Sequence, residues 1–179
     1  MSTELIRALL RAPTTTGALL PSSPALAHVM AEAARDAELV IELGAGTGAV
    51  TRALLKRLPG RPLIAVELQE ALARTLASRY PNVDVRATSA KGMIDEFMTH
   101  PGKVVLVSSL PFRSLPHGVR TETIDSICRF LSYCPGRELV QFTYQPRAPF
   151  APPAGLRWQR HATVWRNVPP AGVWKLNAA

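Results

Sequence analysis

Val40-Ile41-Glu42-Leu43-Gly44-Ala45-Gly46-Thr47-Gly48 is the stretch on which the fold of this chain turns. A short apolar, β-rich run ends in three alternating glycines, and glycine lets a chain turn tightly and bring its backbone against a ligand. The helical pattern of Ala49 to Arg57 follows at once. The glycines therefore sit between a strand and a helix, where open α/β sheets bind nucleotide-like ligands. With Ala49 last, the run also fits GxGxxA, a pattern shared with dinucleotide sites. Glu42 separates the two chemistries. An acid two residues before the first glycine favours the ammonium of a methionine moiety and sits poorly near a pyrophosphate. Methyl transfer is expected over hydride transfer.

Outward from this loop, short β-rich runs alternate with helical patterns: Leu39 to Leu43, Pro62 to Glu67, Val83 to Ala87, Val104 to Ser108 and Leu139 to Thr143. That rhythm predicts βαβ units and a parallel sheet. Ala49 to Arg57 and Gln69 to Arg79 place Leu and Ala at three- and four-residue spacings without internal proline, as amphipathic helices covering a sheet do. Ser23-Pro24 is a helix start, because serine caps free backbone donors and proline tolerates the first helical position. A helix to about Arg35 should follow. Beyond Thr143 come a proline-rich stretch, Pro146 to Pro153, and two β-like runs, Trp158 to Val168 and Val173 to Leu176, expected to form a closing hairpin. The expected fold is α/β and Rossmann-like, a mostly parallel seven-stranded sheet flanked by helices. Residues 24–179 form the domain, and residues 1–23 form an amphipathic helix and lead-in.

The 179 residues, 47% of them hydrophobic, suit one globular domain with a buried core. No apolar run approaches the roughly 18 residues of a membrane span, and the start lacks the pattern of a signal peptide. A cytoplasmic location is expected. Within Ser2 to Arg11, Leu5, Ile6, Leu9 and Leu10 oppose Arg7 and Arg11, a short amphipathic helix suited to a membrane surface or to packing on the domain. The formal charge of +8, from 21 Lys plus Arg against 13 Asp plus Glu, attracts polyanions such as RNA, DNA or an acidic leaflet. Cys128 and Cys134 are too few for a disulfide framework and lack zinc-site spacing, so ordinary thiols in or beside a helix and no metal are expected. A monomer is expected.

Glu67, ending the second strand, is placed to accept both ribose hydroxyls of a cofactor. An acid followed by GxGxG, with a second acid after the next strand, resembles the class I methyltransferases over the central two-thirds of the chain. The resemblance implies S-adenosylmethionine as cofactor, held by Glu42, Gly44, Ala45, Gly46, Gly48, Glu67, Leu68, Ser89, Ala90 and Ser108. Ser89, within Ala87-Thr88-Ser89-Ala90, stands where that class commonly carries aspartate.

The acceptor is read from the run after the fourth strand. Ser109-Leu110-Pro111-Phe112 resembles the Asn-apolar-Pro-aromatic segment of ribosomal RNA adenine dimethylases, which implies a base stacked on Phe112. The longer string Ser108-Ser109-Leu110-Pro111-Phe112-Arg113-Ser114-Leu115-Pro116 looks more like the bacterial phospholipid N-methyltransferases, with Ser109 in place of glycine. Ala18-Leu19-Leu20-Pro21-Ser22-Ser23, the run from Val140 to Arg147 and the run from Val164 to Trp174 resemble the same family, which extends the likeness over nearly the whole chain. It implies methylation of phosphatidylethanolamine toward phosphatidylcholine, with an anionic membrane surface and an amine phospholipid as partners on the inner membrane face. Ser109, Leu110, Pro111 and Tyr144 are then the catalytic candidates. Phe112, Arg113, Arg147, Trp165 and Arg166 are the substrate-binding ones.

A primary amine of pKa roughly 10 must lose a proton before it attacks a methyl group. Nearby positive charge and partial desolvation favour that loss. Tyr144 and Trp165 offer π-faces to a sulfonium or methylated nitrogen, and Arg113, Arg147 and Arg166 offer guanidinium groups to a phosphate. Trp165 and Trp174, at strand positions, are more often core residues than parts of an aromatic cage. His28 and His117 are candidate proton acceptors, with water the alternative. Direct displacement needs neither a metal nor a nucleophilic triad. RNA adenine methylation is the alternative enzymatic reading, and a non-catalytic cofactor-binding module is the third.

Overall fold

A computed structural model of the chain describes residues 22–179. The amphipathic helix expected over Ser2 to Arg11 lies outside the described residues. Helix α1 (Pro24–Ala33) starts as its sequence predicts: Ser23 Oγ accepts from the Leu26 N–H at 3.1 Å, and Pro24 opens the first turn. There follow β1 (Leu39–Leu43), α2 (Ala49–Arg57), β2 (Leu63–Val66), α3 (Glu70–Arg79), β3 (Asp84–Arg86), α4 (Ala90–Glu96) and β4 (Val104–Ser108). The chain continues through α5 (His117–Tyr133), β5 (Glu138–Thr143), β6 (Leu156–Val164) and β7 (Ala171–Ala178). Cys128 lies within α5 and Cys134 directly after it.

The seven strands form one sheet in the order β3-β2-β1-β4-β5-β7-β6. Strands β1 to β5 are parallel, whereas β7 runs antiparallel to both β5 and β6. The sheet is thus mixed, with the hairpin inserted so that its second strand meets β5. The second hairpin strand outruns the sequence expectation at both ends, whereas the first starts two residues earlier than expected, at Leu156 opposite Ala178, and stops at Val164 rather than Val168. Strands β1, β2 and β4 are buried along their whole length, which is why they read as unbroken apolar runs rather than alternating ones.

Successive side chains of each strand face opposite layers. Val40, Ala65 and Val107 pack with Leu26, Met30 and Leu54 of α1 and α2 on one face. Ile41, Ile64 and Leu106 pack with Met93, Ile127 and Phe130 of α4 and α5 on the other. The second layer also buries Arg137, whose guanidinium donates to the carbonyls of Met98 at 2.9 Å, Phe130 at 3.0 Å and His100 at 2.6 Å. A cation there satisfies carbonyls left free at helix ends. No helix among the described residues is long and apolar enough to cross a membrane.

Strand order reverses at β1: the chain moves from β1 outward to β3, then returns to β4 on the other side. Such a reversal parts the loops beyond the carboxyl ends of the neighbouring strands and leaves a crevice.

Candidate functional site

A cleft of about 650 Å³ opens at that edge. The loop after β1 contributes Gly44 to Thr47, the loop after β2 Glu67 to Gln69, the loop after β3 Thr88 and Ser89, and the first turn of α4 Ala90 and Lys91. Ser109 to Pro111 follow from β4, and Phe142 and Tyr144 from β5. The glycines differ in purpose. Gly46 has φ +54° and open space where a Cβ would project, so it presents bare backbone to the cleft. Gly48, at φ +84°, lies outside the cleft lining, and a Cβ there would meet Leu76 Cδ1 at 2.6 Å. It lets α2 pack against α3.

Glu67 is buried and ties two loops together. Its Oε2 accepts from the Gly46 N–H at 2.9 Å and its Oε1 from the Gln69 N–H at 2.8 Å. A carboxylate offers about four lone-pair sites, so both oxygens keep capacity for ribose hydroxyls.

Glu42 departs from the role its sequence position implies. It has no exposed surface and does not line the cleft; Oε2 accepts from Thr51 Oγ1 at 2.6 Å, and Oε1 has no partner among the described residues. Burial pushes its pKa up to about 8, and the charge of Glu67 adds to the rise, despite the opposing Thr51 hydrogen bond. A carboxyl neutral at pH 7 cannot act as counter-ion to an ammonium. Glu42 instead joins β1 to α2 beneath the glycine loop.

The acceptor segment is held from three strands. Ser109 N–H donates to the Leu43 carbonyl at 2.9 Å, Leu110 N–H to Ser108 Oγ at 3.2 Å, and Gln141 Nε2 to the Leu110 carbonyl at 3.2 Å. Ser108 is buried beneath the segment, whereas Ser109, Leu110, Pro111 and Tyr144 line the cleft. Leu68, Ser89, Ala90 and Ala45 line it as well. Ser89 Oγ accepts from the Gly92 N–H at 3.0 Å and so caps α4.

The substrate-binding candidates do not converge on the cleft. Phe112 is 4% exposed and makes a T-shaped contact with Phe150, with ring centroids 5.4 Å apart, so its ring is packed in the core. Arg113, Arg147 and Arg166 are exposed beyond the lining, on loops after β4, β5 and β6 at the same edge of the sheet. Trp165 lies after the end of β6 and is 78% exposed, neither core nor cage. Trp174 lies on β7 beneath the Arg160 guanidinium, 4.7 Å from its ring centroid. Neither His28 nor His117 reaches the cleft.

One wall went unread in the sequence: Gly118, Val119, Glu122 and Thr123, on one face of α5. Their spacing is helical, but periodicity alone does not distinguish a cleft-facing stripe from a core-facing one. Among the described residues no three His, Cys, Asp or Glu gather as metal ligands would.

No family model matches the chain, and no curated protein matches it. Solved structures do. The 23S rRNA methyltransferase ErmE superposes with a TM-score of 0.55 at 20% identity, over 86% of this chain and 67% of its own. The O-methyltransferase TomG from Streptomyces achromogenes, solved in complex with SAM, gives 0.55 at 19%, over 87% and 79%. A precorrin-6y C5,15-methyltransferase from Geobacter metallireducens gives 0.55 at 14%, over 86% and 87%. The chain has the Rossmann-like methyltransferase fold. The acceptors named for these three differ, so the fold does not choose the acceptor.

Proposed function

We propose that this protein is an S-adenosylmethionine-dependent N-methyltransferase acting on an amine phospholipid, phosphatidylethanolamine or a close relative, at an anionic membrane surface. The cofactor's residues are those at the cleft: the backbone of Gly44 to Gly46, the carboxylate of Glu67, and the segment from Thr88 to Lys91. When bound, S-adenosylmethionine supplies an electrophilic methyl group, and its carbon–sulfur bond breaks as the amine nitrogen attacks.

The observation that carries the lipid reading is the orientation of Phe112. An adenine acceptor needs that ring as a stacking platform, and it is packed into the core instead. The aromatic rings lining the cleft are Phe142 and Tyr144, joined by apolar Leu115 and Val119. Such a wall suits a small cationic amine, which binds over π-faces and loses its proton more readily once desolvated. Arg113, Arg147 and Arg166 are exposed on loops at the sheet edge where the cleft opens, and their guanidinium groups suit a lipid phosphate.

RNA adenine methylation is the second reading, favoured by the net charge of +8 and by the fold shared with ErmE. The deciding experiment is methyl transfer from labelled S-adenosylmethionine to vesicles of phosphatidylethanolamine and anionic lipid, with a structured ribosomal RNA fragment in parallel. Label in the lipid phase supports the proposal and label in RNA replaces it with adenine methylation. Cofactor binding without either product leaves the non-catalytic module.

A further inference from the structure

We infer that Glu122 reads the adenine base of the cofactor, replacing from α5 the carboxylate that the loop after β3 lacks. The inference rests on the S-adenosylmethionine reading above.

Among the described residues, the cleft lining holds two carboxylates, Glu67 and Glu122. Both oxygens of Glu67 already accept backbone N–H groups. Glu122 enters no side-chain hydrogen bond or ion pair with the described residues, and it is exposed. In the loop after β3 the residue at hand is Ser89, and its Oγ is committed to capping α4. A donor on the ligand at this corner therefore finds no carboxylate on that loop.

The register of two helices places Glu122 opposite that loop. Asp95 of α4 accepts from Lys91 Nζ and from Ser126 Oγ of α5, each at 2.5 Å, so Asp95 and Ser126 mark one level where the helices touch. Both helices follow parallel strands and run the same way, so four residues earlier is one turn nearer the cleft on each. That step leads from Asp95 to Lys91 and from Ser126 to Glu122, and both line the cleft. Glu122 thus lies on the same level as Lys91, and both line the cleft with Thr88, Ser89 and Ala90. Glu67, to which the ribose is assigned above, directly follows β2, and the loop after the neighbouring strand β3 is the next one along the sheet to meet the base.

Adenine presents an exocyclic amine with two N–H donors, which a carboxylate accepts. A 6-oxo purine puts a carbonyl oxygen at the same place, and two acceptors then face each other. Discrimination between the two bases is the property Glu122 should confer.

The test is calorimetric binding of S-adenosylhomocysteine and S-inosylhomocysteine to the full chain, to Glu122→Ala and to Glu122→Gln. The unaltered protein should prefer the adenosyl compound by about ten-fold or more, as sites built to hydrogen-bond a substrate group do. In both variants the preference should fall to within about three-fold, since alanine bonds neither base and glutamine can turn to suit either. A preference that survives in both variants overturns the inference, as does equal binding by the unaltered protein. Failure of the unaltered protein to bind either compound overturns the cofactor reading and the inference together.

Discussion

Gln141 on β5 donates from Nε2 to the carbonyl of Leu110, 31 residues away on the acceptor segment, at 3.2 Å. Leu110 also touches the cofactor side, since a Cβ at Gly44 would come within 3.0 Å of its Cδ2. The Gln141 side chain is thus the tie that keeps the acceptor segment in register with the glycine loop. Gln141→Leu retains volume and removes the donor. It should lower kcat for methyl transfer about ten-fold through lost positioning, while cofactor affinity changes less than about three-fold. Equal losses in kcat and cofactor affinity would sink this account.

Glu42 makes stability depend on pH. Its folded pKa of about 8 lies above the ordinary glutamate value, so the folded state holds a proton that the unfolded chain has released. The stabilising contribution of the neutral carboxyl is fully present below the unfolded pKa near 4.5 and declines as pH rises to about 8. Glu42→Gln is neutral throughout. It should match the parent near pH 4 and exceed it at pH 8 by on the order of 1–3 kcal/mol in denaturant unfolding. A gap that does not widen between those pH values refutes the neutral carboxyl.

Gly46 and Gly48 should fail in different ways. A Cβ at Gly46 meets no neighbour within 4 Å, so Gly46→Val bears chiefly the left-handed φ, a stability loss of about 1–2 kcal/mol. Its Cβ enters the cleft, so S-adenosylhomocysteine binding should be abolished in a folded protein. Gly48→Ala adds a Cβ clash with Leu76 to the same strain and should lower Tm further than Gly46→Val does. Tight cofactor binding by Gly46→Val would contradict the site itself.

Arg147 and Arg166 project from loops at the cleft edge without lining it. Each basic residue near an anionic bilayer contributes about 1 kcal/mol. Reversing both to glutamate should weaken binding to anionic vesicles by about ten-fold or more, with the effect shrinking at high salt. S-Adenosylhomocysteine affinity should stay unchanged. Vesicle binding unaffected by the reversal would count against the lipid surface, and an equal loss measured on RNA would favour the second reading.

The features legible in the amino-acid sequence are local ones. The succession of strand, glycine turn and helix, the cap at Ser23 and the closing hairpin are set by backbone preferences and side-chain periodicity within windows of about ten residues. The cleft-lining glycines, Glu67, and the Ser109-Leu110-Pro111 segment were legible for the same reason, because each ends a readable strand. The remaining features arise from packing between distant segments. Phe112 turns inward because Phe150, 38 residues later, offers it a packed partner. Glu42 is neutral because α2 and the neighbouring strands exclude water from it. Glu122 reaches the cleft because Asp95 joins α4 to α5 one turn below. Burial, protonation and the convergence of side chains depend on residues distant along the chain, and a local pattern carries no record of which of them will meet.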